Sequence, residues 1–147
     1  MAEELTLGLL CFIAARAVES RVLAELARQG FDDLTIAQAR VFARLGSGGT
    51  RLTDLAQQGQ VTKQTAGSLV DQLERGGYVR RVPDPTDGRA RLVQIAERGT
   101  AAVAVARRVE AQVAAEWTQH LGNRQAAQLR QALTRLRELT DPYAAGS

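Results

Sequence analysis

The chain has 147 residues, with 19 Lys and Arg against 16 Asp and Glu, a formal net charge of +3 and a sequence pI near 9.7. That length suits one domain with a core of its own, and the mild basicity permits a nucleic-acid partner without requiring one. A single cysteine excludes an intrachain disulfide and a cysteine-based zinc cluster, and an aromatic content of 4% argues against a β-sandwich.

From Glu3 to about Arg28 the composition is helical, with no glycine between Gly8 and Gly30. Leu5, Leu7, Leu9, Leu10, Phe12 and Ile13 leave its first turns without a polar face. A helix apolar all round must be covered on several sides, which in so small a protein predicts a subunit interface. The apolar run from Leu5 to Ala15 is too short to span a bilayer, and Glu3 and Glu4 stand where a signal peptide carries positive charge. The expected location is cytoplasmic and nucleoid-associated, with no membrane partner.

A second helix begins near Thr35, where Thr35 and Gln38 have capping-box spacing, and the run Gly46-Ser47-Gly48-Gly49 ends it. A third covers roughly Leu52 to Gln58, with Leu52, Leu55 and Ala56 facing inward. Gly59-Gln60 forms a turn, and Thr62 is the expected N-cap of a fourth helix over about Lys63 to Arg75, closed by Gly76-Gly77. Tyr78 to Val82 reads as a strand, Asp84 to Gly88 as a turn dense in turn-forming residues, and Arg91 to Ile95 as a returning strand of period 2. A long helix then runs from about Glu97 to His120 through Val103, Val109, Val113 and Trp117, until Gly122-Asn123 breaks it. The last helix carries Leu129, Leu133, Leu136 and Leu139 at spacings of three and four, and Pro142 starts a tail.

Two short helices parted by a tight turn, followed by a basic hairpin, make a winged helix-turn-helix. In that layout one helix enters a DNA major groove while the hairpin reaches the adjacent minor groove. The fourth helix starts Thr62-Lys63-Gln64-Thr65, with Ser68 one turn on. A helix N-terminus suits phosphate oxygens, Gln can pair with adenine, Thr can donate, accept or touch a thymine methyl, and Lys63 is a point charge for phosphate or guanine. Gly67 costs helix stability and is readable as a point of close approach to another backbone or to DNA. The opposing reading of this face is an ordinary solvated surface. Arg89 lies just past the hairpin turn, where a narrow minor groove attracts arginine, and Asp87 two residues earlier can hold its guanidinium in a bidentate pair. Arg80, Arg81 and Arg91 on the strands are candidate phosphate contacts or surface charges, and Asp71 is a candidate partner for a wing arginine.

These residues resemble the MarR family of bacterial transcription regulators over essentially the whole chain. The most specific part is Asp84-Pro85-Thr86-Asp87-Gly88-Arg89-Ala90 followed by Leu92-Val93-Gln94-Ile95-Ala96-Glu97-Arg98-Gly99, similar to the family wing D-P-x-D-R-R-A and the L-T-x-x-G that follows it. Leu55-Ala56 and Asp71 to Val79 also fit. Gly88 departs from the first wing arginine and Ala96 from the usual threonine. The resemblance implies a mainly α fold with a small β-hairpin wing. Residues 1–30 and 100–141 would be dimerisation helices and residues 31–99 the DNA-binding region of one MarR-type domain. It also implies a homodimer on a pseudo-palindromic double-stranded operator, acting as a repressor by family default, with recognition helices about one DNA turn, roughly 34 Å, apart.

Many members of the family release DNA when a small, often aromatic or phenolic, acid occupies a cleft between dimer helices and winged region. Arg16, Trp117 and His120 are the candidates to line such a cleft here; each also reads as an ordinary surface, core or helix-end residue. Leu10-Cys11-Phe12 is similar to the stretch around the reactive cysteine of the peroxide-sensing OhrR branch, although Ile36 and Ala39 stand where that branch places tyrosines. Cys11 is therefore a redox candidate against the simpler reading of a small buried hydrophobe. The remaining alternative is a winged-helix protein-interaction module that does not bind DNA. No catalytic set, cofactor site or metal site is expected, and the chain does not read as an enzyme.

Overall fold

A computed structural model describes residues 3–143. In chain order the elements are α1 (Leu7–Arg28), α2 (Ile36–Phe42), β1 (Thr50–Arg51), α3 (Leu52–Gly59), α4 (Lys63–Arg75), β2 (Val79–Asp84), β3 (Asp87–Ile95), α5 (Glu97–Leu121) and α6 (Asn123–Thr140).

Local chemistry sets most of these boundaries. Thr6 caps α1 by accepting the Leu9 backbone N–H at 3.2 Å, so the helix begins at Leu7 rather than Glu3. The capping box of α2 is fully formed. Thr35 Oγ1 accepts the Gln38 N–H at 3.2 Å, and Gln38 Oε1 accepts the Thr35 N–H at 3.1 Å. This helix is shorter than the apolar pattern suggested. After Phe42 the chain tightens, with Arg44 N–H bonding to Val41 and Leu45 N–H to Phe42. Between α3 and α4 it is Gln60, not the neighbouring glycine, that takes the left-handed conformation, at φ 54°.

The sheet has the order β1-β3-β2 and is antiparallel throughout. β1 pairs Thr50 with Val93 and Arg51 with Leu92, a third strand that the sequence pattern did not reveal. The hairpin is longer and its turn tighter than expected. The last pair is Asp84 with Asp87, which leaves only Pro85 and Thr86 at the tip, and the register shifts between Pro83 and Asp84. Tyr78 precedes β2 instead of opening it.

The core forms where α1 to α5 and the sheet meet. Leu26, Val41, Leu55, Val70, Leu73, Tyr78, Val79, Val93, Ala102 and Val105 make one buried cluster. Each of its large aliphatic side chains contributes about 1.5–3 kcal/mol on burial. α5 also buries Val109 and Val113, at the three-to-four spacing that keeps one helical face inward. α6 buries none of its residues. The apolar side chains of α1 and α6 accordingly stand open, with Leu10 at 48%, Phe12 at 53%, Leu133 at 47% and Leu136 at 41% exposure. Among the described residues, no helix is long and apolar enough to cross a membrane.

Candidate nucleic-acid interface

The recognition-helix candidate, α4, is held from below and open above. Ala66, Val70 and Leu73 are buried, and helical geometry places Gln64 and Ser68 on the opposite side. Lys63, Gln64, Thr65 and Ser68 are all exposed. Thr62 is the N-cap, accepting the Thr65 N–H at 3.0 Å and donating its hydroxyl to Thr65 Oγ1 at 2.9 Å. Both threonine side chains are thus occupied in shaping the helix start, while Lys63, Gln64 and Ser68 are left to face outward. A Cβ on Gly67 would meet only Leu52 Cδ2, at 3.7 Å. No backbone outside α4 approaches Gly67, which removes intrachain packing as the reason for a glycine there. Gln38, itself buried, donates to Gln72 Oε1 at 2.6 Å and locks α2 against α4.

The wing is anchored where its turn begins. Asp84 is 6% exposed and accepts the Arg51 Nε–H at 2.8 Å, the Thr86 N–H at 2.8 Å and the Thr86 hydroxyl at 2.7 Å. Those Thr86 bonds, with the Arg51 charge, hold its carboxyl below the usual range. The expected bidentate hold of Asp87 on the Arg89 guanidinium is not formed. Asp87 Oδ1 accepts the Arg89 backbone N–H at 3.0 Å instead, a local turn bond available to residues two apart. The Arg89 side chain is exposed and makes no ion pair among the described residues. Arg91, also on β3, is exposed. Arg80 is exposed and leans on Gln94 at 3.4 Å. Arg81 differs. It pairs with Asp71 at 2.7 Å and Glu74 at 3.0 Å, riveting β2 to α4, so Asp71 does meet an arginine of the hairpin.

The candidate ligand residues are not gathered. Trp117 lines a cavity of about 490 Å³ between α1, α5 and α6, with Val18, Leu129 and Leu133; neither Arg16 nor His120 lines it. Arg16 sits with its guanidinium carbon 5.9 Å from the Phe12 ring. His120 is exposed near the end of α5. A separate cleft of about 300 Å³ lies between α1, α2, β3 and α5, lined by Leu26, Leu34, Phe42, Val103, Arg107 and Glu110 among others. None of these was a ligand candidate from the sequence, because they converge only when α1 and α5 close over α2. Cys11 is exposed on α1. Among the described residues no cluster of His, Cys, Asp and Glu could hold a metal ion.

Comparison with known proteins agrees with this geometry. Residues 32–90, from the α1–α2 loop to the wing, match the MarR family. The crystal structure of the transcriptional regulator PA4135 is 26% identical, with a TM-score of 0.71, over 92% of this chain and 98% of that one. An S. aureus MepR mutant bound to an oligodeoxyribonucleotide is 20% identical with a TM-score of 0.59, over 92% and 98%, a likeness of fold. A curated relative is the exopolysaccharide II synthesis transcriptional activator ExpG of Rhizobium meliloti, 27% identical over 86 residues. That match takes in 58% of this chain and spans less than half, 44%, of ExpG. The winged helix-turn-helix, its wing sequence and the matched region converge: residues 32–90 are similar to the MarR family, and the chain shares the fold of the transcriptional regulator PA4135.

Proposed function

We propose that the protein is a sequence-specific, DNA-binding transcription regulator that works as a homodimer on a pseudo-palindromic operator. The observation that carries this reading is the pairing of two outward surfaces: the polar start of α4 with Lys63, Gln64 and Ser68, and the wing arm with an uncommitted Arg89. α4 enters the major groove, where Gln64 and Ser68 meet base edges and Lys63 a phosphate. Thr62 and Thr65 shape the helix start that faces the backbone. Arg89 enters the minor groove, with Arg80 and Arg91 on the flanking phosphates and Asp87 setting the turn. Residues 1–30 and 100–141 supply the dimer helices and 31–99 the reading head. Repression, with release by a small aromatic or phenolic acid, is the mode proposed. The Phe42-lined cleft, with Arg107 and Glu110 at hand, suits such a ligand better than the dispersed set Arg16, Trp117 and His120.

The test is selection of binding sites from random duplex DNA, followed by titration of the best site at several salt concentrations. Selective, salt-sensitive binding is expected. Arg89→Ala should weaken it by about 10–100-fold, the scale of a good base or groove contact, without unfolding the protein. Lys63→Ala should lower the salt slope by about one. If no sequence is enriched over input, the winged helix serves a protein partner and the DNA reading fails.

A further inference from the structure

Only two stretches of chain join the helical base of the molecule to its winged head: the α1–α2 loop, residues 29–35, and the β3–α5 junction at Ala96. One side chain bridges them. Arg98, in the first turn of α5, donates through Nη1 to Asp33 Oδ2 at 2.9 Å and through Nη2 to Asp33 Oδ1 at 3.1 Å. The same two nitrogens reach the backbone carbonyls of Gly76 at 2.7 Å and Gly30 at 3.2 Å. Its guanidinium carbon lies 4.4 Å from the centre of the Tyr78 ring and 5.6 Å from that of Phe31. Tyr78, 1% exposed, donates its hydroxyl to Asp33 Oδ1. One guanidinium thus holds the end of α1, the loop into α2, the C-terminus of the recognition helix and the start of α5. The fork geometry of arginine gives this contact an orientation as well as a strength.

The bonding also sets charge. The Tyr78 hydroxyl, with Arg98, holds the Asp33 carboxyl below its ordinary range, and burial beside Asp33 raises the Tyr78 phenol. The network is therefore fully charged or fully neutral where it should be throughout the physiological range.

We propose that Arg98, with Asp33 and Tyr78, is a positioning latch that fixes the angle of the winged head on the helical base and so sets which operator half-site spacing the protein accepts. Its consequence for spacing rests on the proposed function; the latch itself does not. The apolar core that head and base share holds them together without fixing a direction, whereas four bonds from one rigid fork fix the angle between them. Arg98 needs no contact with DNA to act this way, since spacing is read through geometry.

The test compares the full-length wild type with Arg98→Ala in two measurements. The first is hydrogen exchange. Residues 29–35 and 96–99 are expected to exchange at least about tenfold faster in the variant, while the core of the head around Leu55 and Val70 keeps its protection, as local opening requires. The second is affinity for the selected operator and for versions with one base pair added or removed between half-sites. The wild type is expected to lose about tenfold off its best spacing, comparable to a mismatched base pair, and the variant less than about threefold. Unchanged exchange at the two junctions overturns the latch. Faster exchange spread evenly over the head overturns it too, because that marks a general stability role. Local exchange with undiminished spacing discrimination overturns the positioning function. If the wild type selects no DNA, the proposed function fails and the exchange measurement still decides the latch. Should Arg98→Ala fail to fold, Asp33→Asn, on a side chain that is half exposed, is carried through the same two measurements and decides by the same outcomes.

Discussion

Gly99→Ala is expected to destabilise the protein by about 3 kcal/mol, the upper range for forcing extra volume into a packed site. Gly99 lies in the first turn of α5 and is buried. A Cβ there would lie 2.2 Å from the Tyr78 carbonyl oxygen, 2.9 Å from Ile95 Cγ2 and 3.0 Å from Phe42 Cε2. Two of these neighbours are side chains with some freedom to move. The Tyr78 carbonyl is not free. It accepts the Ala96 N–H at 2.9 Å, and Tyr78 is held by its buried ring and by Asp33. Relief therefore requires α5 to draw back from the chain that leaves the recognition helix, opening the core at Ala102 and Val105 behind it. Urea denaturation of wild type and variant measures the difference. Gly88→Ala is the companion: a Cβ there meets no atom within 4 Å, and the change should stay within about 0.5 kcal/mol. A Gly99→Ala protein as stable as wild type would show that α5 and the Tyr78 segment do not press together as described.

The contrast between these two glycines illustrates what sequence could and could not supply. Both sit in the stretch that carries the family resemblance, yet only the fold distinguishes a glycine required by a carbonyl 21 residues earlier in the chain from one in open space. Short-range signals were legible. Thr35 with Gln38, and Thr62 ahead of Lys63, cap their helices as their spacing implied, because a cap is a bond between near neighbours. The hairpin was legible from its alternation and turn residues, but β1 was not. Two residues carry no period, and Thr50 and Arg51 become a strand only because β3 extends far enough to pair with them. The site divided the same way. The outward residues of α4 follow from helical geometry, whereas the roles of the wing arginines depended on what lies opposite. Arg81 is committed to Asp71 and Glu74, whereas the Arg89 side chain pairs with no carboxylate among the described residues and only its backbone N–H reaches Asp87. The Asp33–Tyr78–Arg98 network joins residues up to 65 positions apart and leaves no local pattern to detect.

Leu136→Glu is expected to convert the protein to a folded monomer and to weaken operator binding by about 10²–10⁴-fold, the gain that linking two binding modules ordinarily provides. The apolar residues of α6 run Leu129, Leu133, Leu136 and Leu139, all at least 41% exposed, on a helix with no fully buried residue. α1 offers a matching set in Leu7, Leu9, Leu10, Phe12 and Ile13, likewise open. Covering what remains exposed would stabilise by roughly half of the 1.5–3 kcal/mol of a full burial for each such side chain, and a second copy of the same surfaces is the proposed cover. A carboxylate at Leu136 would have to give up its hydration in that cover, whereas in the single chain, where the position is 41% exposed, it can still reach solvent. The substitution therefore separates association from folding. Sedimentation should report the monomer mass, far-ultraviolet circular dichroism should be unchanged, and each head should bind a half-site with similar affinity alone or in the intact operator. If Leu136→Glu remains dimeric with full operator affinity, the interface lies elsewhere. If it becomes monomeric yet binds the operator as tightly as wild type, one head suffices for recognition, and the pseudo-palindrome is not what the protein reads.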